Sequence, residues 1–241
     1  RKANYLVGHE EGAAVLEMTL YGGSCRFEED TIIALTGADM QPTVNQKPIA
    51  MNQAVKVPAG GVLNLGMAKT GCRTYLAVAG GFEVPKVMSS YSTNLKCGIG
   101  GHEGRALQMG DELPIGEALH SWDEVKDRKV SVPDYPKEVL VSVVPGPQEE
   151  YFTEAGIHHF YSESYEVTES CDRMGYRLEG PEVESKNGTD IVSDGIVFGS
   201  IQIPSSGKPI ILMADHQTTG GYAKIGTVTQ ADLPKVAQCK P

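Results

Sequence analysis

No two cysteines in this chain form a C-x-x-C pair. The five present, Cys25, Cys72, Cys97, Cys171 and Cys239, are far apart and odd in number. Structural zinc needs clustered thiolates or imidazoles, so no metal site is expected. Scattered cysteines fit reduced thiols in a cytoplasmic protein, and there the sequon Asn187-Gly188-Thr189 carries no glycan. No apolar run approaches the roughly 20 residues of a membrane span, and no signal peptide is visible. Positive charge is also short: 21 Lys and Arg against 31 Asp and Glu leave a net charge of −10. Nucleic acid calls for a basic face, so it is not the expected main partner, although a local basic pocket stays open. There is no G-x-x-x-x-G-K-[ST] phosphate loop and no G-x-S-x-G nucleophile elbow. The chain opens at Arg1-Lys2-Ala3-Asn4 without a methionine, so a native start upstream is expected.

What is present is ordinary for a globular protein: 241 residues, 40% hydrophobic and 22% charged. That length suits one large domain or two of about 100 residues or more each. The 28 glycines and 14 prolines are spread along many short apolar runs, the pattern of a mainly β fold with many turns.

In chain order, Ala3–Val7 reads as a helix end closed by Gly8. Strands are predicted over residues 13–20, 31–35, 53–57, 62–65 and 73–79, with a shorter one at Val44, and a last short strand over 111–115 closes the first half. Between them, residues 89–110 form a long stretch poor in apolar residues, of the kind that is functional or mobile. Residues 1–117 are expected to form a first β domain. Residues 118–137, rich in charge and holding Pro133, Pro136 and the only tryptophan, Trp122, read as a linker. A second β domain follows over 138–241. Its strands are predicted over 139–144, 164–167, two pieces of 191–202, and 225–229. A helical face of Tyr151, Phe152, Ala155 and Phe160 is interrupted at Gly156, and a short helix starts near Gln230.

The chemistry-bearing candidates cluster in the second half. Ile210-Ile211-Leu212-Met213-Ala214 is a buried-strand run that switches without a break to Asp215-His216-Gln217-Thr218-Thr219, then Gly220-Gly221-Tyr222. Polar side chains at the exit of a core strand are hard to explain by packing, and the glycines permit a turn or a close backbone approach. Asp215, His216 and Gln217 suit acid–base work. Neighbours on a strand face opposite ways, which argues against a direct Asp215–His216 dyad. Asp172-Arg173 and Arg177 flank Tyr176. On a strand the two arginines share a face, suited to a carboxylate or phosphate, or else to ion pairs with Asp172 or Glu179. In the first half, Gly98-Ile99-Gly100-Gly101-His102-Glu103-Gly104-Arg105 resembles a phosphate-cradling loop, but no helix follows it. Arg105 there either holds an anion or is solvated in a turn.

The pieces Arg73-Thr74-Tyr75-Leu76-Ala77-Val78-Ala79-Gly80-Gly81, Val144-Pro145-Gly146-Pro147-Gln148, Asp172-Arg173-Met174-Gly175-Tyr176-Arg177-Leu178, Ser193-Asp194-Gly195, Gly199-Ser200-Ile201-Gln202-Ile203-Pro204 and Asp215-His216-Gln217-Thr218-Thr219-Gly220-Gly221-Tyr222 together resemble the biotin-dependent carboxyltransferase, or allophanate hydrolase subunit 2, family. The C subunit of bacterial 5-oxoprolinase and the Kip antagonist protein are members, and the module forms part of urea carboxylase. The resemblance implies two cyclophilin-like β-barrel domains, and further family segments before Ala3 and after the last helix. It implies one component of an ATP-dependent 5-oxoprolinase that opens pyroglutamate to glutamate. The partners would be the A and B subunits of 5-oxoprolinase, B being Kip inhibitor-like, with ATP and Mg²⁺ used by the complex. Asp215, Arg173 and Arg177 would then be catalytic, with Asp215 as base or Mg²⁺ holder. Gln202, Gln217, Thr218, Tyr222 and Arg105 would bind substrate. Two alternatives follow from the same resemblance: carboxyl transfer from carboxybiotin to urea or a related amide, and a non-catalytic antagonist that binds a kinase-inhibitor protein.

Overall fold

A computed structural model describes residues 1–241, and its chain divides into two compact units, Arg1–Pro136 and Lys137–Pro241. The first contains α1 (Lys2–Leu6), β1 (Leu16–Thr19), β2 (Ser24–Arg26), β3 (Thr31–Asp39), β4 (Thr43–Val44), β5 (Lys47–Pro48), β6 (Ala54–Val57), β7 (Val62–Asn64), β8 (Thr70–Val78) and α2 (Trp122–Val125). Its two four-stranded sheets run β1-β8-β3-β6 and β2-β7-β4-β5. The unbroken apolar run of β3 reflects burial on both faces, since successive side chains alternate. Ile33 and Leu35 enter one core with Val57, Leu63, Leu76 and Val78. Ile32 and Ala34 enter another with Ala3, Leu6 and Ala77. Each such aliphatic side chain contributes about 1.5–3 kcal/mol on burial.

The stretch read as a linker packs into this unit instead. Val125 is fully buried beside α1. The charges that suggested a linker sit on the outside of the one-turn helix α2. Glu124 closes its capping box by accepting the Ser121 N–H at 2.8 Å, and Lys126 pairs with Asp123. The strand predicted over 111–115 is reduced to one bridge, Phe82 to Ile115, because the Asp111 side chain turns inward onto Arg105 and the Gln108 N–H.

The second unit contains β9 (Val143–Pro145), α3 (Glu154–Ser162), β10 (Glu166–Val167), β11 (Gly175–Glu179), β12 (Asp190–Gly195), β13 (Ser200–Gln202), β14 (Ile210–Leu212), β15 (Thr219–Tyr222), β16 (Lys224–Val228) and α4 (Leu233–Val236). Six strands form an antiparallel sheet in the order β10-β11-β14-β13-β16-β9, and β12 pairs separately with β15. Phe152, Tyr176, Ile201, Ile203, Ile211 and Ile225 fill its core. Thr153 caps α3 by accepting the Gly156 N–H at 3.0 Å. Gly156 does not interrupt the helix. It lets α3 lie flat on the chain, since a Cβ there would come 2.5 Å from the Glu184 carbonyl oxygen.

Asp232 ties the start of α4 to the entry of β9. Its carboxylate takes the Lys235 ammonium at 2.6 Å and the Ser142 N–H at 2.8 Å. These contacts, Lys235 first, lower its pKa from 3.8 to about 2. A depressed folded-state pKa means the contribution is complete above the unfolded value and is lost as pH falls through the folded one. The urea midpoint of the wild type is therefore expected to drop between pH 3.8 and about 2. Asp232→Asn should flatten that part of the curve, and an unchanged slope would remove Asp232 from the account.

Candidate functional site

The chain leaves β14 at Met213 and is fixed by backbone hydrogen bonds to the residues before β11. Met213 N donates to Met174 O at 2.8 Å and Asp215 N to Arg173 O at 2.7 Å. The side chains repeat this pairing: Arg173 Nε and Nη2 donate to the two Asp215 oxygens at 3.0 and 3.3 Å. A forked, charge-assisted pair of this kind fixes orientation as well as charge. Asp215 thus pairs with Arg173 rather than His216, whose Nδ1 lies 2.6 Å from the Gln217 carbonyl oxygen. The face shared by two arginines does not form as predicted. β11 begins only at Gly175, and Arg173 precedes it in a turn closed by Asp172 Oδ1, which accepts from Met174 N and Gly175 N. Arg177 is exposed on the strand, as are Gln217 and Thr218 beyond β14.

Register separates this pair from Gln202. Ile201 stands opposite Ile211 and Gln202 opposite Ile210, while Gly199 N donates to Leu212 O. The chain therefore reaches Asp215 past the Ser200 end of β13, and Gln202 marks the other end. On its opposite side Gln202 pairs with Lys224. Both are buried, Gln202 at 2% and Lys224 at 4% exposure.

An ammonium this deep needs a counter-charge. Lys224 Nζ donates to Asp194 Oδ2 at 2.7 Å, and that carboxylate is half exposed. Gln148 bridges the two: its Nε2 donates to Asp194 Oδ2 at 3.2 Å, and its Oε1 accepts the Lys224 N–H at 3.1 Å. Lys224 first, then the Gly195 N–H and Gln148, hold the Asp194 carboxyl below the usual range. Gln202 Nε2 donates to the Tyr222 carbonyl at 3.4 Å. Gly220 lies flush on that amide. A Cβ would stand 2.6 Å from Gln202 Nε2 and 2.5 Å from Ile196 Cδ1, so the glycine serves close approach rather than a turn.

Along residues 1–241 the chain matches the family described as carboxyltransferase domain, subdomain A and B. The chain belongs to this family. The carboxyltransferase-domain chain is 36% identical over 240 residues to the 5-oxoprolinase C subunit of Haemophilus influenzae, covering 100% of itself and 76% of that relative. It is 39% identical over 242 residues to the Escherichia coli protein of the same name, at 99% and 76% coverage. Urea amidolyase of Saccharomyces cerevisiae matches at 32% over 261 residues, the whole of this chain but 14% of that enzyme. Among solved structures, Kluyveromyces lactis urea carboxylase superposes with a TM-score of 0.85 at 30% identity, and TTHA0988 with 0.88 at 33%. The carboxyltransferase-domain chain is covered fully in both but spans only 23% and 47% of those chains.

Within the carboxyltransferase-domain chain, Arg105 is already engaged. Its guanidinium donates to both Asp111 oxygens at 2.7 and 2.8 Å and to Glu103 at 2.7 and 3.0 Å. It pins its own loop and offers no open fork to an anion. Sequence reasoning missed Lys224, Gln148 and Asp194 as site residues. One signal was available: Lys224 is a lone cation in the otherwise buried run Ala223–Gly226.

Proposed function

We propose that this chain is the C-type subunit of a 5-oxoprolinase, which opens pyroglutamate to glutamate with B and A subunits at the expense of ATP. The observation that carries the reading is the buried Lys224 ammonium held between the amide side chains of Gln148 and Gln202. Opening a lactam requires water to add at the carbonyl carbon, the C–N bond to break and the ring nitrogen to gain a proton. Negative charge grows on the carbonyl oxygen as water adds, and a desolvated ammonium stabilises such charge far more than a hydrated one. Lys224 turns from Asp194 toward that oxygen, Asp194 keeps its Gly195 N–H and Gln148 contacts, and the two amides orient the lactam N–H. The two relatives that carry the 5-oxoprolinase name, matched across nearly the whole chain, support the substrate class. Cys25 and Cys97 carry free thiols, in keeping with the reducing cytoplasm as its compartment.

The residues of this chain do not fit a nucleotide. Both arginines suited to phosphate are engaged, Arg105 by Asp111 and Glu103 and Arg173 by Asp215, and no group of three His, Cys, Asp or Glu is placed to hold Mg²⁺. We assign ATP and its metal to another member of the complex and route no step through them. The test is ATP-dependent release of glutamate from pyroglutamate by the purified three-protein mixture. No turnover with all three present would overturn the reading. The urea carboxylase likeness favours a second reading, carboxyl transfer from carboxybiotin to a urea-like amide. Carboxylation of urea with a biotinylated carrier, in the absence of pyroglutamate turnover, would select it.

Arg173 and Asp215, at the other end of β13 from Gln202, act in this proposal as a brace for residues 213–218, which lead to Gly220. Arg173→Ala is expected to lower kcat/KM about tenfold, near the ~1.5–3 kcal/mol of one charge-assisted bond. A loss as large as that of Lys224→Met would return Arg173 to the chemistry.

A further inference from the structure

The loop between β8 and α2 presents apolar side chains to solvent from a backbone that is firmly built. Met88, Leu95, Ile99, Leu107 and Met109 are 89%, 57%, 44%, 37% and 103% exposed within 22 residues. Looseness does not explain them. Val87 and Ser90 exchange both backbone hydrogen bonds at 2.9 Å, and Asn94 and Ile99 do so at 2.9 and 3.3 Å. The Ser92 carbonyl lies over Gly100 and the Gly98 carbonyl over Gly104, so closely that a Cβ on either glycine would come within 2.3 Å of oxygen. Arg105, forked onto Asp111 and Glu103, clamps the far end.

Met88 has φ +48°, a left-handed backbone that costs a non-glycine residue about 1–3 kcal/mol. Its side chain, 89% exposed, returns nothing to the unit's own core. Strain that holds an apolar side chain in water has its return in a contact with something else. Methionine suits such a contact because it adapts to an irregular partner surface.

We infer that this loop is the docking surface for one of the other proteins of the complex, and that this partner offers an apolar groove rimmed by carboxylates. The inference rests on the heteromeric reading and adds where the contact is made. Charge selects the occupant. Residues 85–111 carry Lys86, Lys96 and Arg105 against Glu103 and Asp111, a net of +1 in a chain of net −10. Arg105 is neutralised by those two acids, which leaves Lys86 and Lys96 to meet the partner's carboxylates.

Isothermal titration of the full chain with the purified 5-oxoprolinase A and B proteins, each in a separate run, tests this. One of them is expected to bind the wild type, more weakly as salt rises. Met88→Glu combined with Met109→Glu should weaken that binding at least tenfold, and Lys86→Glu combined with Lys96→Glu should flatten its salt dependence. Met109→Glu alone, at a fully exposed position outside the strained turn, should weaken binding severalfold if the double variant misfolds. Val192→Glu, on an exposed strand of the other unit, should leave affinity unchanged. Undiminished affinity in the loop variants would overturn the docking surface while the heteromeric reading stands. Wild-type binding to neither protein would overturn both. Light scattering that shows the chain alone to self-associate, and the Met variants to abolish it, would make the face homotypic and overturn the proposed partner.

Discussion

Replacing Lys224 with Met is expected to lower kcat of the reconstituted complex about 10²–10³-fold, the range seen when one donor to a developing oxyanion is removed. Methionine keeps the length and buries well, so β16 retains its pairing with β9 and β13. Asp194 keeps the Gly195 N–H and the Gln148 amide, and being half exposed it is rehydrated without a large penalty. Steady-state kinetics would then show the loss in kcat more than in KM, because the interaction is stronger in the transition state than with bound substrate. A variant within threefold of wild type would move the chemistry off this chain and onto another protein of the complex.

Phe152→Ala should lower the stability of the second unit by about 3–5 kcal/mol, the usual cost of deleting a buried aromatic ring. Phe152 is fully buried among Tyr176, Val183 and Ile203. It enters that core just before Thr153 starts α3, so the cavity has polar backbone on one side and collapses poorly. The only tryptophan, Trp122, lies in the other unit, so intrinsic tryptophan fluorescence is not the readout. Amide hydrogen exchange across β11, β13, β14 and β16 reports it directly. A rise in exchange equivalent to less than about 1 kcal/mol would mean that the ring is not part of the cooperative core.

The mainly β character was legible because β3 and β8 are long apolar runs bounded by glycine pairs and turn residues, a local signal. The site was legible only in part. Asp215 and Gln202 stood out as polar groups beside core strands, whereas Lys224 is one residue in an apolar strand, and its meaning comes from Asp194, 30 residues away, and Gln148, 76 away. Nothing local signals those pairings. Arg173 and Arg177 have the right spacing for one face, but the Asx turn at Asp172 ends the strand between them. Residues 118–136 looked like a linker because charge dominates their composition, while a single buried Val125 decides where they belong.

The borders of the six-stranded sheet have a consequence for solubility. β9, at one margin, is three residues long and ends in Pro145, which has no N–H to donate. β10, at the other, is two residues long and begins with a glutamate. A free strand edge grows by recruiting another chain only when several successive N–H and C=O groups lie open in line. Neither margin offers such a row. The sheet that holds Lys224 in its interior is thus poorly templated for amyloid-like addition, and partners must recognise this unit through side chains rather than by extending its hydrogen-bond ladder.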